Sequence, residues 1–342
     1  MKFRGLGSMP GTDVAEAADI IAGESHNGAL VLPVLPGRGL GADHIGRTGA
    51  LLADLALDRG PRSWRVVEGS AERLSRASWH ARDYLQRDLD TCEEVWGNAV
   101  DELRVTAVGP WTLAASIELS HGHAFLTDKG AVRFLADSLA HGLANHLAEV
   151  RRRHACATVN VLLREPLLAD VTHGRILDAT GGHRLSAVGH VEMSEVWRRV
   201  TEVIVDEKTS VTIMPGGAAG ELSIHALSAS GAQGIVMSID RIRGTQALDN
   251  IGVLISDDMN LEMGVVPGRP PIGVSEAPEE RSLAQAVAKV WDELSFPRTD
   301  MLTRLDITTR GDMNNAPTSW PAQALAAGRN TAELIARAAG DL

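Results

Sequence analysis

The feature that most constrains the fold is a regular alternation of short apolar segments with longer segments of helical periodicity. Eight apolar segments have the length and composition of buried strands. A crossover helix returns the chain to the same end of a sheet, so strands that alternate with helices pair in parallel. The strand-like segments are 3–7, 29–35, 103–108, 158–163, 210–214, 234–239, 261–266 and 304–307.

Helical patterns lie between these strands. Thr12 and Asp13 suit a helix N-cap, as does Ser70, and Pro317 and Pro321 suit a first helical turn. One range, 245–258, leaves an alternative open, because its segment Ile251–Ile255 also has the composition of a strand. The predicted helices are 13–23, 44–58, 70–97, 130–153, 192–207, 218–230, 245–258, 279–295 and 317–338.

Eight strand–helix units predict a (β/α)8 TIM barrel of the α/β class, formed as a single domain by residues 1–342. The region 36–68 is rich in Gly, Arg and Asp and is expected to form an extended excursion over one face of the barrel. An open, doubly wound sheet is the structural alternative. No glycine-rich dinucleotide-binding motif follows the first strand, which weighs against a Rossmann fold.

Composition limits the possible partners and compartment. The net charge is −11 and the one basic run, Arg151–Arg153, ends a predicted helix, so no nucleic-acid partner is expected. Residues 1–10 lack the apolar core of a signal peptide, and no apolar stretch has the ~18 residues of a membrane span. Two cysteines, Cys92 and Cys156, suit a reducing cytoplasm. The oligomeric state is not indicated.

Charged residues follow two of the predicted strands at the end where barrels bind their ligands. Arg164 and Glu165 precede Pro166 after the fourth strand, and Arg310 follows the eighth. The C-terminal ends of barrel strands carry the catalytic and binding groups in this fold. Opposite strands of an eight-stranded ring face each other, so Arg164 and Arg310 are expected to face each other across the mouth.

Several strand-end motifs together resemble the catalytic barrel of cobalamin-independent methionine synthase, in the superfamily that includes uroporphyrinogen decarboxylase. They are Gly7-Ser8-Met9-Pro10-Gly11, Gly109-Pro110-Trp111-Thr112-Leu113 and Glu165-Pro166. The stretch from Leu32 to Arg47 is similar to stand-alone actinobacterial members. The resemblance covers most of the chain, and the order of the motifs on successive strand ends supports it.

The resemblance implies a zinc-bound homocysteine thiolate that accepts a methyl group from a folate or another donor. Family members supply zinc ligands after strands five, six and eight and an Asp for the substrate ammonium. This chain has Met214-Pro215-Gly216, Asp240 and Thr309-Arg310-Gly311 at the ligand positions, and Arg164 replaces the ammonium-binding Asp. Zinc needs about four ligands. We therefore expect no cofactor, although the family implies zinc.

The arginines suggest a ligand of the opposite kind, because a guanidinium repels an amine and binds a carboxylate or phosphate. We expect a small anionic ligand between Arg164 and Arg310. Alternatively, both arginines pair internally with Glu165, Asp306 or Asp312. Glu165 is the candidate catalytic residue, as a base or hydrogen-bond acceptor. The candidate substrate-binding residues are Gly7, Ser8, Met9, Trp111, Arg164 and Arg310.

Three functions remain open from the sequence. The first is a divergent or degenerate methyltransferase that has lost the zinc–thiolate site. The second is a non-catalytic or regulatory barrel that binds an anion through Arg164 and Arg310. The third is a metal-free decarboxylase, since the porphyrinogen branch of the superfamily binds propionate groups with arginines.

Overall fold

Each strand of the computed structural model either begins within one residue of a predicted strand or belongs to a small second sheet. The structure describes residues 1–25, 29–60, 62–67, 75–97, 100–155 and 158–338. The strands are β1 (Ala29–Val31), β2 (Leu57–Arg59), β3 (Trp64–Val66), β4 (Glu102–Val108), β5 (Ile117–Glu118), β6 (Thr158–Glu165), β7 (Thr209–Pro215), β8 (Gly234–Ser238), β9 (Asn260–Val266) and β10 (Leu305–Thr309).

Twelve α-helices are seen in the same ranges, and most of them cover the outer face of the sheet. They are α1 (Val14–Glu24), α2 (His44–Leu51), α3 (Arg76–Trp96), α4 (Pro110–Ser116), α5 (Lys129–His154), α6 (Leu168–Thr172), α7 (His190–Ile204), α8 (Ile224–Ser228), α9 (Thr245–Ser256), α10 (Glu280–Glu293), α11 (Met301–Arg304) and α12 (Trp320–Ala338). The ambiguous segment Ile251–Ile255 is helical. The predicted cap Ser70 lies outside the described residues.

Seven strands form one parallel sheet in the order β1-β4-β6-β7-β8-β9-β10. The sheet is curled, and no pairing between β1 and β10 closes it among the described strands. The parallel α/β architecture is thus confirmed, whereas a closed eight-stranded barrel is not.

The segment from Lys2 to Met9, which contains the predicted first strand 3–7, lies between the two edges of this sheet. Phe3 forms an isolated parallel bridge with Ile307 of β10, and Ser8 forms another with Val34, just after β1. Backbone hydrogen bonds of 2.9 Å accompany both bridges, including those from Arg4 to Ile307 and from Met9 to Val34. The segment therefore contacts both edges without forming a continuous strand.

The curl brings distant strands together on the concave side. Leu6, Leu162 of β6 and Val236 of β8 form a buried apolar cluster there, separate from the main core. Arg104 of β4 and Glu262 of β9 form an ion pair across the same interior, although three strands separate β4 from β9. A flat sheet would hold these side chains far apart, since neighbouring strands are ~4.8 Å from each other.

The excursion 36–68 differs from its prediction. The helix predicted over 44–58 ends at Leu51, and Leu57 belongs to β2. Strands β2, β3 and β5 form a separate small sheet, and Ser75 and Ser78 at the start of α3 hydrogen-bond the backbone of Leu57. These strands have two or three residues each. That length is too short to show a period in the sequence.

Helix termini follow local sequence. The side chain of Asp13 accepts from the backbone N–H groups of Ala15 and Glu16, which fixes the start of α1 as predicted. Asp128 caps α5 in the same way, and the basic run at Arg151–Arg153 lies in its last turn, where cations complement the helix dipole. Within the described ranges, no helix combines the length and apolar character needed to cross a membrane.

Candidate functional site

A cavity of about 240 Å³ lies at the C-terminal ends of β6, β7, β8 and β10. Its lining carries three guanidinium groups and one carboxylate, together with the turn that follows β7. Ligand sites of parallel α/β sheets lie at this end of the strands. The lining residues are Arg164, Pro166, Met214, Pro215, Gly216, Gly217, Val236, Met237, Ser238, Arg241, Thr309, Arg310, Gly311 and Asp312.

Arg164 reaches the cavity because of its register on β6. Successive side chains of a strand point to opposite faces, and Leu162 belongs to the interior cluster, so Arg164 shares that interior face. Its Nη2 donates to Asp312 Oδ2 at 2.5 Å. Only 9% of the Arg164 side chain is exposed, and its Nη1 has no hydrogen-bond partner. The predicted internal pairing with Asp312 is therefore present, yet it leaves one donor unused.

Arg310 lies on another side of the same cavity. Its Nε donates to the carbonyl of Val265 at 2.8 Å, and its Nη1 lies 3.1 Å from Asp240 Oδ2. The third guanidinium is that of Arg241, an exposed residue whose Nη1 donates to the Gly217 carbonyl at 3.4 Å. The structure thus brings the two predicted arginines to one cavity and adds a third.

The turn after β7 forms one wall of the cavity and depends on two glycines. A Cβ at Gly216 would collide with the carbonyl of Pro166, and Gly217 has φ of +92°, in the left-handed region. Only glycine accepts both the close approach and this conformation without strain. The wall at this turn is therefore formed by backbone rather than by side chains.

Glu165 points away from the cavity into the layer between sheet and helices. Its Oε2 accepts from the Thr112 backbone N–H at 2.7 Å, and its Oε1 accepts from Trp111 N–H at 3.1 Å and from the Trp197 indole at 3.0 Å. The side chain is fully buried, and burial raises the pKa of this carboxyl to about 6, against the effect of the hydrogen bonds. Its contacts show a carboxylate that fixes the start of α4.

Three other predicted residues also lie away from the cavity lining. Trp111 is 1% exposed and donates its indole N–H to the Met193 carbonyl, while Met9 packs in the main core. Gly7 has φ of +87° and lies against the Leu32 carbonyl and Val31. The Gly109-Pro110-Trp111 and Glu165-Pro166 motifs contact each other, because a Cβ at Gly109 would overlap the Glu165 carboxylate.

Ser8 belongs to a polar pair beside the cavity. Its Oγ lies 2.7 Å from Nε2 of His44, the first residue of α2. Burial, with the charge of Arg164 next in importance, lowers the pKa of His44 to about 3, and Asp312 opposes this shift. The ring is therefore neutral near pH 7. Because Ser8 is 1% exposed and hydrogen-bonded to a weak base, the pair does not have the features of an accessible nucleophile.

The residues present do not fit the zinc site that the resemblance implies. Within the described ranges, no group of three or more His, Cys, Asp or Glu side chains is placed to hold a metal ion. Asp240 pairs with Arg310 and Arg243 instead. Cys92 is buried, and burial raises the pKa of its thiol to about 12, while Cys156 lies outside the described residues.

Sequence reasoning missed Arg241 and His44. It considered Asp240 only as a possible metal ligand, whereas it named Asp312 among the possible internal partners of the arginines. Arg241 lies three residues after the end of β8. It could have been found from the sequence, because the C-terminal ends of parallel strands carry ligand-binding groups. His44 had no such signal, because its contact with Ser8 depends on the path of the excursion.

Comparison with known proteins gives a fold likeness. No family model and no curated protein matches the sequence. Among solved structures, a B12-independent methionine synthase from Shewanella sp. W3-18-1, in complex with selenomethionine, is 12% identical, with a TM-score of 0.51 over 80% of this chain and 71% of that chain. A GH18 chitinase from Pseudoalteromonas aurantia is 8% identical, with a TM-score of 0.31 over 93% and 97%. The first likeness shows a distantly related fold, and the second carries no argument.

Proposed function

We propose that this protein binds a small anionic molecule in the cavity at the C-terminal ends of β6, β7, β8 and β10. The observation that carries the proposal is the convergence of Arg164, Arg241 and Arg310 on one cavity that holds a single carboxylate, Asp312. Guanidinium groups bind carboxylates and phosphates through paired donors. The cavity volume is below the roughly 300–1,000 Å³ of drug-sized sites, which favours a small metabolite.

The arginines are held in a way that suits binding. Arg310 is fixed by the Val265 carbonyl and Asp240, and Arg164 by Asp312, so their positions are set before a ligand arrives. A held guanidinium loses less side-chain entropy on binding than a free one. Both pairs are partly exposed and can exchange one carboxylate partner for a ligand at modest cost.

We also propose that the chain is a divergent relative of the methionine synthase barrels. The three strand-end motifs and the fold likeness support this ancestry, and residues Lys2–Met9 bridge both edges of the curled sheet where a closed barrel would have another strand. Zinc-dependent thiol methylation is not part of the proposal, since the side chains at the strand ends do not provide the ligands. The site supports binding and does not identify a reaction.

Calorimetric titration with succinate and with inorganic phosphate tests the proposal. We expect saturable binding below millimolar concentration, and weakening by salt because the contact is between charges. Arg310→Met should remove the binding. Arg199→Met is the matched control, because Arg199 pairs with Asp137 on the protein surface, away from the cavity. Absence of saturable binding of either anion to the wild-type protein up to millimolar concentration would refute the proposal.

A further inference from the structure

The cavity changes in character between its rim and its inner end. The rim carries Arg241, which is exposed, and Arg310, whose side chain is 34% exposed. The inner end is formed by Met214, which is half-buried, and by Val236, a member of the apolar cluster against which Met214 packs. A ligand that is polar throughout would match only the rim, since a polar group loses its hydration when it is buried against apolar side chains.

The positive charge at the rim is only partly neutralised. Asp240 pairs with both Arg310 and Arg243, so one carboxylate is shared by two guanidinium groups. Arg241 Nη1 donates to the carbonyl of Gly217, which carries no charge. A carboxylate can accept hydrogen bonds from guanidinium groups through both of its oxygens. The rim therefore favours one anionic head group.

The inner end has no unbalanced cation for a second anionic group among the described lining residues. Arg164 lies beside Met214 in the register of β6 and β7, and its charge is balanced by Asp312 at 2.5 Å. Met214 contributes an apolar side chain at this end. Apolar area that is removed from water on binding adds affinity without a polar partner. This end therefore favours an aliphatic group.

We infer that the ligand is a short-chain aliphatic monocarboxylate that lies with its charged end at the rim. Its carboxylate binds Arg310 and Arg241, and its hydrocarbon chain lies against Met214. The inference rests on the proposed anion-binding function and narrows it to one head group and one type of tail. Arg164 contributes by neutralising Asp312, whose charge would otherwise repel the ligand.

A chain-length series tests this orientation. Calorimetric titration with acetate, propionate, butyrate, valerate and hexanoate keeps the head group constant and lengthens only the tail. We expect the affinity to rise about threefold for each added methylene as the chain enters the apolar end. Glutarate has the five carbons of valerate and a second carboxylate. It should bind about tenfold more weakly than valerate, because the second carboxylate would lose hydration without gaining a cation.

Two substitutions at Met214 assign the gain per methylene to the inner end. Met214→Gln replaces an apolar side chain by a polar one of similar length, and it should reduce the gain to less than about twofold per methylene. Met214→Leu is the matched control, because it keeps an apolar side chain at the same position and should keep the threefold gain. Arg241→Met should weaken the binding of every acid by the same factor, since the head group is common to the series.

The possible results separate this inference from the proposed function. Equal affinities from acetate to hexanoate, or tighter binding of glutarate than of valerate, would overturn the inference and leave anion binding intact. A gain per methylene that is the same in Met214→Gln and Met214→Leu would also overturn it, because the hydrocarbon chain would then lie elsewhere. Failure of all the carboxylates and of inorganic phosphate to bind would overturn both.

Discussion

The concave interior of the sheet contains two arginine–carboxylate pairs that differ in how completely the guanidinium group is satisfied. Each pair leaves one carboxylate oxygen, Glu262 Oε2 or Asp312 Oδ1, without a hydrogen-bond partner. In the deeper pair, Arg104 donates to Glu262, to Asn160 Oδ1 at 2.8 Å and to the Gly5 carbonyl at 3.4 Å, so all three guanidinium nitrogens have partners. At the cavity, Arg164 has one carboxylate partner and an unused Nη1. The same residue types therefore close a core in one place and leave a binding surface in the other.

The difference follows from what surrounds each pair. Arg104 and Glu262 are 3% and 5% exposed in their side chains, and Thr212 adds a hydrogen bond to the same Glu262 oxygen. Asp312 follows β10 in a loop and its side chain is 28% exposed. An enclosed charge depends on its partner, whereas a charge at a cavity can exchange its partner for a ligand or water. This contrast gives a ranked set of stability effects.

Arg104→Met should have the largest effect. It leaves Glu262 as an unpaired carboxylate in the interior, and loss of one partner of a buried ion pair costs about 3–5 kcal/mol. The measurement is the free energy of unfolding in urea. The double variant Arg104→Met with Glu262→Leu removes both charges and should recover most of the loss. A loss no larger than that of Arg164→Met would break the comparison.

Glu165→Gln should have the second largest effect, a loss of about 1–3 kcal/mol in the free energy of unfolding. Three buried N–H donors contact the two carboxylate oxygens, and Gln replaces one of these oxygens by an NH2 group that also donates. The same variant tests the raised pKa. A carboxyl whose pKa rises from 4.5 to about 6 on folding is held more favourably when protonated. Its contribution to stability is therefore full below pH 4.5 and falls as pH rises toward 6.

Wild-type stability minus that of Glu165→Gln should accordingly decrease between pH 4.5 and pH 7, as measured by urea unfolding at several pH values. The other titrating groups are common to both proteins and cancel in the difference. A difference that is independent of pH would show that burial does not raise this pKa.

His44→Gln should have a smaller effect that depends on pH. The folded-state pKa of about 3 lies below the ordinary 6.5, so stability is complete above pH 6.5 and falls as the pH decreases. Between about pH 6.5 and pH 5 the expected loss attributable to His44 is about 1.5 kcal/mol. Thermal unfolding of the wild-type protein and of His44→Gln at the two pH values measures this loss of stability. His146→Gln serves as the comparison variant for His44→Gln, because burial also lowers the pKa of His146, to about 4.

Arg164→Met should have the smallest effect on stability, about 1 kcal/mol or less, since Asp312 is partly exposed and can be hydrated. Its effect on ligand affinity should be large. Parallel measurements of urea unfolding and calorimetric binding separate the two. A severely destabilised variant would place Arg164 with Arg104 as a structural residue and weaken the proposed function.

The sequence predicts the strand ends well because the signals are local. The apolar run 158–163 predicts the strand, and the end of that run sets the height of Arg164 in the sheet, whereas the face that Arg164 occupies depends on the register of the strand. Its partner Asp312 and the Ser8–His44 contact depend instead on loops that cross between strands. No local pattern encodes such contacts. The role of Glu165 was hidden for a related reason, since the charge of the residue suggested catalysis while its face of β6 directs it into the helix layer.

The N-terminal segment Lys2–Met9 has a consequence for synthesis of the chain. The Thr308 hydroxyl donates to the carbonyl of Arg4, which lies 304 residues earlier. At about 5–20 residues per second, a ribosome adds the second partner roughly 15–60 s after the first. During that interval the segment Lys2–Met9 lacks its partner strand β10, and exposed strand edges are sites of aggregation. Chaperone binding to the nascent chain should therefore persist until β10 has emerged.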